Sequence, residues 1–346
     1  FFKQKTAYEL SLGLVGSEMC IRDSYLLIEV KLMGLSDRRP TTSTEYLEYK
    51  SRFNNWGRWG DSDQSGTLNH IDNSTVLSAV KLIETGETVS CSNPIGTENV
   101  VPNPKRNPRP ADHVMSVSQT GSGDYIGVYY HGYVNTHIDS LCHFFTDSIE
   151  DGGKLYNGVD PSVITDTGAK SHSVDNWKTG IVTRGVLYDI PELRGTDFVE
   201  YEQPVEGWDL QDWADQVGVT PRKGDAVLIR SGYSAFWAAN PDYEITSPPK
   251  TPGNAPSILE FLYDTNAAIL GWDLQETGFR SEEYPARIAV HEVAIPHMGM
   301  PLLDNANFDD LAEACKRNGR YDFHITIAPL VINGGTGSPV NPIVTF

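Results

Sequence analysis

His137, Asp139 and His143 fall within the run Tyr133-Val-Asn-Thr-His137-Ile-Asp139-Ser-Leu-Cys-His143. In an extended strand side chains alternate between faces, so residues 137 and 139 point the same way and would grip one cation between them. Imidazole nitrogen and carboxylate oxygen suit zinc or manganese, and a metal with few protein ligands keeps a coordination position for water. Water so bound is acidic enough to supply hydroxide near neutral pH. A lone histidine on a strand is ordinarily a hydrogen-bonded core or surface residue. Three ionisable groups this close together, beside an apolar face, ask for a different explanation.

The element that must carry them is a strand. Tyr125, Gly127, Tyr129, His131, Tyr133 and Asn135 share the register of His137, while Ile126, Val128, Tyr130, Val134 and Ile138 form an opposite, mostly apolar face; the alternation predicts a strand over 125–139. Further strands are expected at 87–91, 114–118, 181–190, 225–231, 267–273 and 324–330. A short helix is expected within 40–56, and others at 74–84 capped by Ser74, at 208–217, 257–266 and 309–318. The last has acids in its first turn, Lys316 and Arg317 in its last, and Gly319 beyond. Residues 94–112 form a proline-rich loop expected to border a pocket. Helices and strands alternate without internal repeats, which favours one α/β domain.

Composition narrows the partners. Acidic residues outnumber basic ones by 46 to 27, a formal charge of −19, which argues against nucleic acid and leaves a small-molecule substrate. The one basic cluster, Lys105, Arg106 and Arg109, reads as a solvated loop. The four cysteines, at 20, 91, 142 and 315, show no Cys-x-x-Cys pairing, so a reducing, cytoplasmic setting is expected. Cys142 abuts His143, but alternation turns it to the other side of the strand, as packing. No apolar run approaches the ~18 residues of a membrane span. Residues 1–24 lack the small-x-small cleavage site of a signal peptide. They resemble the translated read-through of a sequencing adapter, so the domain is expected over 25–346.

Other motifs compete. Asp61 to Asp72 matches an EF-hand calcium loop nearly position by position, with Gly66 at its sixth place. Its twelfth position is Asp rather than the longer Glu, and no second loop pairs with it, so a turn rich in Asp and Gly explains the same residues. Gly334-Gly-Thr-Gly-Ser-Pro339 lacks the Lys and Ser/Thr of a phosphate loop and reads as a tight turn. No Gly-x-Ser-x-Gly elbow occurs, which disfavours a serine hydrolase.

At the His137 cluster the sequence resembles the cyclase family of metal-dependent hydrolases, whose signature is His-x-Gly-Thr-His-x-Asp-x-x-x-His and whose members include bacterial-type kynurenine formamidase and isatin hydrolase. Thr136-His137-Ile-Asp139-Ser-Leu-Cys-His143 fits the second half; in the first half Tyr133 replaces the leading His and Asn135 the Gly. His131, two residues earlier, either supplies the missing nitrogen after a bulge or hydrogen-bonds within the pocket. Arg58-Trp-Gly-x-x-Asp63-x-x-Gly66-Thr-Leu-Asn69, Val227-Leu-Ile-Arg230-Ser-Gly, Leu270-Gly-Trp-Asp273 and Leu302-Leu-Asp304-Asn305 extend the likeness over about residues 55–346.

The resemblance implies a β-barrel-like mixed sheet with flanking helices, the swivelling β/β/α arrangement, assembled as a homodimer or homotetramer. It implies that His137 and Asp139 bind a first metal. His291 and Asp304 would complete a second site, with His297 as the competing histidine, and His143 would serve as general acid or base. Apart from the resemblance, the abundant aromatics, Tyr129, Tyr133, Trp56 and Trp59 among them, are candidates to line an apolar pocket for an aryl substrate, although core packing explains most of them equally well. Tyr133 and Trp59 are the choices for substrate contact. The chemistry expected is hydrolysis of a small amide, lactam or lactone. The alternatives are a metal-assisted lyase or ring-closing enzyme on a small carbonyl substrate, and a metal-binding module without turnover.

Overall fold

The computed structural model describes residues 33–244, 252–277 and 288–346. The adapter-like residues 1–24 lie outside them. The chain divides into two compact units, Phe1–Arg39 and Pro40–Phe346, and everything below concerns the second.

Thirteen strands are described in chain order: β1 Thr88–Ser90, β2 Asp112–Val117, β3 Ser122–Gly127, β4 His137–Asp139, β5 Ile164–Thr165, β6 Gly168–Ala169, β7 Ile181–Asp189, β8 Ala226–Arg230, β9 Ile269–Trp272, β10 Leu302–Asp304, β11 Asp322–Ile327, β12 Gly337–Pro339 and β13 Ile343–Thr345. Nine form one strongly curled mixed sheet, a half-barrel in the order β1-β13-β11-β7-β8-β9-β10-β4-β12. Strands β7 to β10 run parallel at its centre, and the flanking strands pair antiparallel. The parallel strands are continuous apolar runs, Ala-Val-Leu-Ile in β8 and Ile-Leu-Gly-Trp in β9, because both faces are covered.

Helices flank the sheet and end where local chemistry dictates. Ser43–Arg52 begins at a capping box, with the Glu45 amide donating to Thr42 Oγ1 and the Thr42 amide to Glu45 Oε2. Asp309–Asn318 carries its acids first and its bases last, and stops at Gly319 in the left-handed region (φ 65°). Gly207–Val217 is pinned to the sheet by Trp213, whose Nε1 donates to the Leu187 carbonyl at 2.8 Å. Among the described residues, no helix is long and apolar enough to cross a membrane.

Two sequence expectations are corrected, and a third, the turn at Asp61–Asp72, holds. The helix expected to begin at Ser74 is capped one step earlier by Asp72, whose carboxylate accepts the Ser74 and Thr75 amides at 2.8 and 2.9 Å. Asp61–Asp72 is a turn leading into the short 3-10 helix Gly66–His70: the Asp63 carboxylate accepts the Gly66 backbone amide at 2.9 Å, the Asn69 side-chain amide at 2.8 Å and the Tyr156 hydroxyl at 3.1 Å, so its oxygens are taken up by the protein's own groups. The single strand over 125–139 is two short pieces. β3 pairs only with β2, in a separate hairpin, and ends at Gly127. Gly132 then turns the chain at φ 121°, which a strand of side-chain-bearing residues would not hold. Only 137–139 joins the main sheet.

Candidate metal centre

β4 lies between β10 and β12, and its antiparallel register with β10 sets Asp304 opposite His137 and Leu303 opposite Ile138. Paired residues share a face, so His137, Asp139 and Asp304 converge on one side while Ile138 and Leu303 enter the core on the other. The alternation expected from the sequence therefore holds over the three residues that matter most.

His131, His143 and His291 reach the same place by other routes. His131 comes from the irregular segment after β3, where Nε2 meets Thr336 Oγ1 at 2.9 Å and Nδ1 lies 2.9 Å from Asp139 Oδ1. This segment is held by two side-chain amides: Asn305 Nδ2 donates to the Gly132 carbonyl at 2.6 Å, and Gln275 Nε2 donates to it at 3.1 Å. His143 follows β4 and stacks flat on His131, ring centroids 3.8 Å apart at 9°. His291 opens the helical run 291–298, which lies between β9 and β10 in the chain.

Asp139 is the shared centre. Its side chain is 1% exposed, yet among the described residues neither oxygen receives a hydrogen bond of acceptable geometry. Around them lie His131 Nδ1 at 2.9 Å, His137 Nε2 at 3.4 Å, and His143 and His291 Nε2 both at 3.6 Å. A buried carboxylate left without donors is costly, and a cation among the imidazoles removes that cost. Two groups have ligand atoms close enough to share an ion: His131, Asp139 and His143, and His137, Asp139 and Asp304. The residues present fit a divalent metal.

The surrounding hydrogen bonds orient the ligands. His137 donates Nδ1–H to the Asn135 carbonyl at 2.8 Å, and His291 donates Nδ1–H to Glu276 Oε1 at 2.5 Å. Both rings therefore direct Nε2 toward Asp139 and Asp304, the atom through which a histidine anchored at Nδ1 would ligate a metal. Asp304 is fixed by Trp272 Nε1 on Oδ1 and Gln275 Nε2 on Oδ2, each at 2.6 Å. Burial opposes charge on Asp139, but the imidazoles of His143 and His137 outweigh it and hold the carboxyl well below the usual range. Burial likewise opposes protonation of His291, which the carboxylates of Glu276 and Asp304 nevertheless raise well above its ordinary value. Burial lowers His143 to about 4, so its ring is neutral near pH 7.

A pocket of about 130 Å³ opens over these groups, lined in part by Gly132, Tyr133, Phe144 and Ile288. Burial and the nearby Glu276 carboxylate push the Tyr133 phenol up to about 12, so it remains a donor. Trp59 is not among its lining residues; it packs edge-on against His70 with Arg58 over its ring. His297 stacks on Trp56, and both its ring nitrogens are buried without partners among the described residues. Cys142 meets Ser140 Oγ at 3.2 Å, and burial raises its thiol to about 11, as packing requires.

Glu276, Gln275, Trp272 and Phe144 carry no signal in the local spacing of the sequence. Glu276 lies fifteen residues before His291, and only the fold joins them. The Gln275-Glu276 pair just beyond β9 was the available hint, since parallel strand ends are where α/β sheets place their ligands.

The Cyclase family, described as "Putative cyclase", matches residues 77–278, more than half of the 346-residue chain. The chain belongs to this family. Among solved structures, this cyclase-family protein is similar to one described as a novel cyclase, with 26% identity over 86% of this chain and 99% of that one, at a TM-score of 0.74. The curled nine-stranded sheet with flanking helices is thus a cyclase-like fold. It is also similar to an isatin hydrolase bound to the product analogue thioisatinate (16% identity, 79% and 98% coverage, TM-score 0.49). A third likeness is to a "predicted metal-dependent hydrolase" from Bacillus stearothermophilus (14% identity, 75% and 98% coverage, TM-score 0.44). No curated protein matches the sequence.

Proposed function

We propose that the protein is a metal-dependent hydrolase that opens a small amide, lactam or lactone. The observation that carries this reading is Asp139, a buried carboxylate with two unpartnered oxygens ringed by four imidazoles. Zinc or manganese would be held by His137, Asp139 and Asp304 with His291 beside them, leaving His143, stacked on His131, to carry the proton. When bound, the metal supplies Lewis acidity and lowers the pKa of water toward neutrality.

The chain's own groups do the rest. Neutral His143 takes a proton at Nε2 from the attacking water and returns it to the leaving nitrogen or oxygen. Tyr133 offers its phenol hydrogen toward the substrate, and Phe144 and Ile288 narrow the pocket and exclude water. Glu276 and Asn135 keep His291 and His137 in one tautomer through the cycle.

The test is a panel of formyl-anilides, isatin and aryl lactones, assayed with zinc or manganese and read by product mass. Products whose summed mass exceeds the substrate by one water support hydrolysis. A summed mass equal to the substrate means a lyase, and a product one water lighter means a ring-closing enzyme. Inactivity across the panel at full metal loading favours a binding module.

A further inference from the structure

A larger cavity, about 430 Å³, borders the metal centre. Gly132 and Tyr133 line both spaces, and His131 walls the larger one while its ring faces Asp139. The opposite wall is the proline-rich loop, which contributes Lys105, Arg106 and Arg109. In a chain of net charge −19, this concentration of cations stands out.

The loop is built in place. Asn107 Nδ2 donates to the Gly96 carbonyl at 2.8 Å, the Ala111 amide donates to the same carbonyl at 2.9 Å, and the Gly96 amide donates to Asn135 Oδ1 at 2.9 Å. Asn107 and Asn135 are both buried. The loop is therefore fastened to the segment that carries His131, and its cations are held at the cavity.

Their charges are unevenly matched. Lys105 meets Glu244 at 3.4 Å on the surface. Arg106 lies on the rings of Trp237 and Tyr233, at 4.3 and 5.2 Å, and donates to Tyr233 Oη, while its buried Nε has no partner. Arg109 is exposed and lies 4.4 Å over the ring of Tyr129. Neither arginine meets a carboxylate among the described residues. Two guanidinium groups without a carboxylate partner among the described residues, at a cavity walled by tyrosines, favour an anion on a flat apolar body.

We propose that the larger cavity binds a carboxylate on the substrate's aryl body through Arg106 and Arg109, with the ring along Tyr129 and Tyr133 and the reacting carbonyl at His137 and Asp139. The placement of the carbonyl rests on the hydrolase reading; the anion site rests on the cavity alone.

The test is calorimetric binding of benzoate and benzamide to the full chain, to Arg109→Gln and to Arg109→Lys. Arg109 is exposed, so these variants are expected to fold. Benzoate should bind saturably, weaken about tenfold in Arg109→Gln and recover in Arg109→Lys, with benzamide indifferent to both changes. Benzoate that binds the parent and Arg109→Gln alike, as it would if seated at the metal centre, overturns the proposal, as does its failure to bind. A kinetic arm compares formanilide with its ring-carboxylated analogue; kcat/KM should favour the carboxylated substrate about tenfold in the parent and lose that preference in Arg109→Gln. Arg109-dependent benzoate binding without any hydrolysis would sink the hydrolase reading and leave the anion site standing. Equal hydrolysis of both substrates by both proteins would do the reverse.

Discussion

Glu276 accepts the Nδ1 hydrogen of His291 at 2.5 Å and leaves Nε2 of that ring 3.3 Å from Asp304 Oδ2. The same carboxylate takes the Val290 and His291 amides on its other oxygen, at 2.6 and 3.0 Å, so ring and backbone are set together. Glu276→Gln can turn its amide nitrogen toward Nδ1 and reverse the tautomer. Metal affinity is expected to fall about 10- to 100-fold, measured by competition with a chromophoric chelator, while the folded state survives.

Asp139 belongs to both ligand groups and His143 to one. Asp139→Asn is expected to lose bound divalent metal altogether. His143→Ala is expected to keep an ion at His137, Asp139 and Asp304 and to lose at least about a hundredfold in kcat. Metal analysis of the two variants separates the roles; equal metal loss in both would make His143 a ligand.

Ile138 sits between the two site residues of β4 but points into the core, where it is fully buried against neighbours that include Leu303. Ile138→Ala is expected to cost about 2–5 kcal/mol of stability in a denaturant titration. Metal content per folded chain should not change, because the opposite face of the strand is untouched.

Acid should unfold the protein in part through His70 and His297, which belong to neither ligand group. Burial lowers His70 and His297 to about 4, below the ~6.5 of an unfolded chain. Between those values the unfolded chain binds protons that the native one does not, so stability is full above about pH 6.5 and drains as pH falls toward 4. Each group contributes a slope of up to about 1.4 kcal/mol per pH unit. His297→Phe keeps the ring stacked on Trp56 and should flatten the pH dependence of thermal melting; an unchanged slope would assign the acid sensitivity elsewhere.

The sequence made His137 and Asp139 legible because a period of two needs only three residues to declare a face, and it made the helix Asp309–Asn318 legible because its charges follow the dipole and Gly319 ends it. It also named His131, His143, His291 and Asp304, which the fold brings to one point. The strand over 125–139 misled because aromatic alternation persists through Gly132, whose positive φ breaks the ladder. Trp272, Gln275 and Glu276 stayed hidden because their partners, Asp304 and His291, lie across a strand pair or beyond a long connection, where no local period reaches. The basic loop read as solvated because charge counts do not show that Asn107 and Asn135 fasten it at a cavity.

The central claim is a divalent ion seated around Asp139, on which turnover depends. Metal content and hydrolysis should be measured on the purified chain before chelation, after it, and after zinc or manganese is restored. The account predicts at least one ion per chain, loss of hydrolysis when it is stripped and recovery when it is returned. Undiminished turnover by metal-free protein, or wild-type metal content in Asp139→Asn, would contradict it.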